Sequence, residues 1–152
     1  MIDRLRRIAL AVDRSEESDH ACDLAARLSV DTGAPVVIIH VRSTHPLLRG
    51  DAVNPGQRET MEREGQAFLD EQRARVEQAG GTVEDTRLGF GKRIDETIVR
   101  GVEDLDADLL VVGGRGEDEV TRRMLLGSTS ESLVRHAPCS VLVARRPLGA
   151  DT

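Results

Sequence analysis

The 152-residue chain predicts an α/β protein: one domain, residues 1–152, built as an open parallel five-stranded sheet with helices on both faces. Three observations carry this. Strand-length apolar runs alternate with helix-period segments five times along the chain. Two of the runs, Ile8–Val12 and Val36–Val41, are almost continuously apolar, as expected of parallel strands covered on both faces. The third is the stretch from Ala107 to Arg145. There an apolar run breaks into Gly113-Gly114-Arg115-Gly116, a charged loop follows, Gly127-Ser128-Thr129 opens a helical pattern, and a last apolar run begins at Val141.

The elements follow in order. Ile8, Leu10 and Val12 alternate with Ala9 and Ala11 in a first strand that Asp13 ends. Ser15 or Ser18 caps the next helix, with acidic Glu16, Glu17 and Asp19 in its first turn. Ala21, Leu24, Ala25 and Leu28 form its inner face and Gly33 stops it. The second strand ends at Val41. Positions 42–57 read as a long loop, with Asn54-Pro55-Gly56 among its turn signals. A polar helix from Arg58 to Ala79 places Met61, Ala67, Phe68 and Val76 inward. Thr82–Leu88 is more polar, as an edge strand would be, and Gly89-Phe90-Gly91 reads as a turn. Ile94, Ile98, Val102 and Leu105 mark an amphipathic helix. Leu109–Val112 is the fourth strand, and Pro138 separates the last helix from the last strand, about Ser140 to Ala144.

Composition narrows the function classes. Hydrophobic content of 39%, charged content of 32% and a net charge of −6 suit a water-soluble globular protein and argue against nucleic acid as a partner. No run of about 18 apolar residues is present, so no membrane partner is expected. The N-terminal apolar run is too short for a secretory signal, and a cytoplasmic location follows. Cys22 and Cys139 lack the spacing of a zinc or redox motif and read as small hydrophobes.

The stretch from Gly113 to Ser130 has the layout of an anion site. Glycines allow close backbone approach, and free N–H groups at a helix start attract phosphate. It is not a Walker loop, since no Lys-Ser or Lys-Thr follows the glycines, nor a first-strand dinucleotide fingerprint. Asp13 is an acceptor for a ribose or adenine group, a site near a hydrated metal, or a helix cap. In an open α/β sheet, ligands sit beyond the carboxyl ends of the strands, so Asp13, Val41 and Gly113 are expected to converge. Glu117-Asp118-Glu119 would repel a triphosphate unless Mg²⁺ or Arg115, Arg122 and Arg123 intervened. No general base or Ser-His-Asp arrangement is identifiable, so catalysis is at most slow hydrolysis.

Three segments, Ile8–Ser15, Ala107–Gly113 and Gly127–Val143, resemble the universal stress protein family over nearly the whole chain. The resemblance implies a Rossmann-like fold of the adenine nucleotide alpha hydrolase-like type, a stress-response role, and a homodimer pairing through the last strand. Its ATP-binding members carry Gly-x-x-Gly, nine residues, then Gly-Ser or Gly-Thr. Gly113, Gly116, Gly127 and Ser128 fall on that motif, with ten residues from Glu117 to Leu126 in place of nine. By the same resemblance Ala11, Val12 and Asp13 would meet adenosine, Val41 would present its backbone to adenine, and Val112 would pack nearby. Arg115, Thr129 and Ser130 complete the implied nucleotide site, with Mg²⁺ or Mn²⁺ held through the phosphates near Asp13. The alternative is a dimeric interaction protein of the same fold that binds no nucleotide.

Overall fold

The computed structural model describes residues 4–44, 54–115 and 126–146. Five parallel strands are ordered β3-β2-β1-β4-β5. They are β1 (Ile8–Val12), β2 (Val36–Ser43), β3 (Val83–Gly91), β4 (Leu109–Gly113) and β5 (Ser140–Ala144). The helices between them are α1 (Glu16–Thr32), α2 (Pro55–Gln78), α3 (Ile94–Leu105) and α4 (Ser128–His136). Successive side chains of a strand point to opposite faces. Ile8, Leu10, Val12, Val36 and Ile38 thus join α1 and α2 in one core. Ala9, Ala11, Val37, Ile39 and Val41 join α3 and Leu133 of α4 in the other. The strand order reverses direction between β1 and β4, which opens the crevice where open α/β sheets bind ligands.

Several local readings change once packing is included. Asn54-Pro55-Gly56 is a helix start, not loop. The Asn54 side chain accepts from the Gln57 N–H, Gln57 returns the bond to the Asn54 backbone, and Pro55 occupies the first turn, where a missing N–H costs nothing. Gly89-Phe90-Gly91 is not a turn. It extends β3, paired through Val41↔Gly89, Arg42↔Phe90 and Ser43↔Gly91. A Cβ at Gly91 would lie 2.1 Å from Thr97 Oγ1, and one at Gly89 3.1 Å from Thr97 Cγ2. These glycines are spaces for α3 rather than points of reversal.

On α2, Ala67 is exposed and Leu69 is fully buried instead, beside Met61, Phe68 and Val76. On α1, Leu24 is 39% exposed and Leu28 is half-buried, while Ala21, Cys22, Ala25, Ala26 and Ser29 face the sheet. A face of small side chains lets α1 sit close to β1 and β4. Gly33 ends α1 in the left-handed conformation, with φ 79°. Cys22 is enclosed there with its Sγ 3.1 Å from Gln72 Oε1, and burial pushes its thiol up to about 12.

Gly113 shows how closely α1 approaches. A Cβ at this position would stand 2.9 Å from Glu17 C and 2.9 Å from Ser18 N, both main-chain atoms. Its φ is not positive, so the residue is required for space and not for conformational freedom. Gly113→Ala is expected to cost about 1–3 kcal/mol, the range for overpacking a filled interior. Urea unfolding should give a lower midpoint, and an unchanged midpoint would show that α1 can move away freely.

Candidate functional site

The end of β1 is built by a chain of local hydrogen bonds. Asp13 Oδ1 accepts from the Ser15 N–H at 2.8 Å and from Ser15 Oγ at 2.5 Å. Ser15 is the N-cap of α1, its Oγ accepting from the Ser18 N–H at 3.1 Å. Ser18 Oγ accepts from the Asp13 N–H at 3.0 Å, which closes the ring. Asp13 is therefore not itself the helix cap; it orients the residue that is.

The end of β4 is tied down from three sides. The Gly114 N–H donates to Ala144 O of β5 at 2.8 Å, and the Gly127 N–H donates to Gly114 O at 2.7 Å. Ser130 Oγ donates to Gly113 O at 2.5 Å. Arg115 turns back onto Glu17, with Nε and one terminal nitrogen each 2.8 Å from Oε1. Glu17, an acid of the first turn of α1, is only 4% exposed, and its Oε2 lacks a hydrogen-bond partner. The clasp ties the turn after β4 to the start of α1.

Gly127 is the N-cap of α4, with φ −71° and ψ 161°, and Ser128 is the first helical residue. The cap is thus the glycine, one position before the hydroxyl of Ser128. No side chain caps this end. The first N–H groups of any helix have no acceptor within it, so those of Ser128 and Thr129 form a donor-rich mouth at the positive end of the helix dipole. The Gly127 N–H does not belong to that set, because Gly114 O already engages it.

A cleft of about 630 Å³ lies over these strand ends. It is lined by Ala11, Val12, Asp13, Val41, Val112, Gly113, Arg115, Gly127, Ser128, Thr129 and Ser130. Every described residue that the sequence marked is therefore in one place. Gly116 and the acidic Glu117-Asp118-Glu119 lie outside the described residues. One wall is apolar, formed by Ala11, Val41, Val112, Ile94 and Ile98; the opposite lobe is polar, formed by Arg14, Ser18, His40, Arg42 and Glu64.

The model of the universal stress protein family matches residues 4–145. The chain belongs to the universal stress protein family. A universal stress protein relative from Staphylococcus aureus (strain USA300) is 30% identical over 140 residues, covering 92% of this chain and 84% of its own. Universal stress protein UspA from Lactobacillus plantarum superposes with a TM-score of 0.76 at 26% identity, over 95% of this chain and 100% of that one. Two more distant neighbours share the fold. A universal stress protein in complex with cAMP has a TM-score of 0.69 at 24% identity, over 94% of this chain and 98% of its own. One from Archaeoglobus fulgidus in complex with dAMP has a TM-score of 0.68 at 19% identity, over 95% of this chain and 100% of its own. No described helix of this universal stress protein is long and apolar enough to cross a membrane.

The polar lobe is what sequence reasoning passed over. Arg14 lies over the Phe68 ring at 4.6 Å, and Arg42 pairs with Glu64 at 3.2 Å. His40, read only as part of a strand, is 7% exposed. Its Nδ1 is 2.9 Å from Val12 O, and its ring is tilted against Phe68 at 4.7 Å. A polar residue inside an otherwise apolar buried run was the available signal. Cys139 is half-buried, and the described residues hold no group of three or more His, Cys, Asp or Glu side chains able to bind a metal.

Burial lowers the His40 pKa from its ordinary value of 6.5; the Val12 carbonyl opposes this, and Arg42 and Arg14 reinforce it. The unfolded chain therefore takes up this proton at higher pH than the folded one. Between the two values the unfolded state binds more protons, so stability rises with pH. The contribution is complete above the unfolded value of 6.5 and is lost as pH falls through the lower folded value. Urea midpoints at pH 7.5 and 5.5 should drop more for the wild type than for His40→Asn. Equal drops would show that His40 does not titrate differently on folding.

Proposed function

We propose that this chain is an adenine-nucleotide-binding module of the stress response, one domain of residues 1–152, holding ATP across the carboxyl ends of β1, β2 and β4. The observation that carries the reading is the uncapped start of α4 opening into the same cleft as Asp13 and the apolar wall. Adenine packs between Ala11, Val41 and Val112, with the Val41 backbone alongside it. Asp13 and Val12 border the ribose. The phosphates rest on the N–H groups of Ser128 and Thr129, with Gly116 completing the motif. Gly113, Gly127 and Ser130 shape this floor, the last two through bonds that hold β4 and α4 together. Mg²⁺ or Mn²⁺ is held through the phosphates, with Asp13 as the nearest marked carboxylate.

Support comes from the relatives whose structures contain cAMP and dAMP, two adenine nucleotides. Arg115 is engaged by Glu17, so neutralisation of a triphosphate rests mainly on main-chain donors and the cation. The module works in the cytoplasm as a homodimer. Its partner strand adds to the edge of β5, where Val141, Leu142 and Val143 are half-buried in the single chain. It binds nucleotide and does not process it rapidly, since among the described residues no general base faces the phosphate end.

Two measurements test this. Nucleotide released from denatured purified protein, identified by chromatography, should be an adenine nucleotide, and titration calorimetry should record binding of ATP with Mg²⁺. Ser128→Pro removes one N–H at a helix position that tolerates proline, and Gly127 already has the extended backbone that precedes proline. Nucleotide affinity should fall by about tenfold, as for a lost charge-assisted hydrogen bond. Ser128→Ala, which keeps the amide, should fall less. Equal affinities for the wild type and both variants would exclude phosphate binding at this helix start.

A further inference from the structure

His40 has only one of its two ring nitrogens engaged. Nδ1 lies 2.9 Å from Val12 O. A carbonyl oxygen only accepts, so Nδ1 carries the hydrogen and donates. In the neutral ring this fixes the tautomer and leaves Nε2 as a bare acceptor. No described group bonds Nε2. Nε2 is not sealed off: among the described residues, the fully enclosed side-chain polar atom without a partner is Glu17 Oε2. His40 is more than nine-tenths buried, Phe68 covers its ring, and the residue lines the cleft. Beyond Val12 β1 has ended, so the sheet no longer separates this lobe from the apolar wall.

We infer that Nε2 of His40 accepts a hydrogen bond from an O–H or N–H donor of the nucleoside held in the cleft, which makes His40 a specificity-determining residue. This rests on the nucleotide reading above. The acceptor is rigid, because Val12 O holds one ring edge and Phe68 one face, so a matching donor gains a bond at little entropic cost. A ligand without that donor leaves Nε2 desolvated and unpaired. The bond also requires the neutral ring. The charged groups facing it are Arg42 on β2, Asp13 and Arg14 on the turn after β1, and Glu64 on α2, which is paired with Arg42. Protonation would turn the acceptor into a donor between two arginines, so the preference is lost as pH falls.

His40→Asn is the decisive variant, because its amide N–H can replace Nδ1–H on Val12 O while nothing replaces Nε2. Calorimetry at pH 7.5 with AMP should give affinity about three- to tenfold weaker than wild type, the range for one net hydrogen bond. The melting temperature without ligand should stay close to wild type. One of 2′-deoxy-AMP, 3′-deoxy-AMP or the 6-unsubstituted purine ribotide should bind wild type and variant equally, which identifies the donor. The wild-type advantage for AMP should shrink toward unity at pH 5.5. Wild-type affinity in the variant would overturn the inference and leave nucleotide binding standing. So would an equal loss for AMP and all three analogues. Failure of the wild type to bind any adenine nucleotide would overturn both.

Discussion

The close approach of the α1 start to the turn after β4 is the constraint on which the rest depends. β1 and β4 are neighbours in the sheet, but their chains leave in opposite directions. A crevice opens between them only if the two turns are held in fixed relation. Gly113 gives the helix room to come within contact of the strand end. The Glu17–Arg115 pair then fastens one turn to the other. A buried carboxylate is costly unless paired, so this clasp is a poor source of stability and a good source of geometry.

From that clasp the cleft floor follows. Gly114 is bound to Ala144, Gly127 to Gly114, and Ser130 to Gly113. These bonds consume groups that a motif reading would assign to the ligand, and they leave Ser128 and Thr129 as the outward donors. The helix mouth is thus held in place by the protein's own bonds. The asymmetry between an apolar wall and a polar lobe comes from the two faces of β2. Val41 points to one side and His40 to the other, as alternation along a strand requires.

The glycines illustrate why motif and mechanism differ. Gly113 and Gly114 are marked by the sequence as flexible residues near a ligand. In the fold neither has a positive φ; a Cβ at Gly113 would collide with α1 backbone, and one at Gly114 would sit tightly, 3.1 Å from Glu17 Oε2 and 3.2 Å from Val143 Cγ1. The same holds for Gly89 and Gly91, whose turn signal is overridden by the need to admit Thr97. Glycine in a sequence reports that something comes close; it does not say what.

The sequence by itself determined the parallel sheet, the order of its elements and the convergence of Asp13, Val41 and Gly113 at the strand ends. It could do so because buried strands, helix periodicity and glycine-hydroxyl helix starts are local patterns read within a few residues. It could not assign Glu17 to the interior, engage the Gly127 N–H, start α2 at Pro55 or leave Nε2 of His40 unengaged. Glu17 meets Arg115 across 98 positions and His40 meets Val12 across 28. Such pairings are set by strand order and by how tightly a small-residue helix packs. Local pattern carries no term for either, so only the assembled tertiary structure decides them.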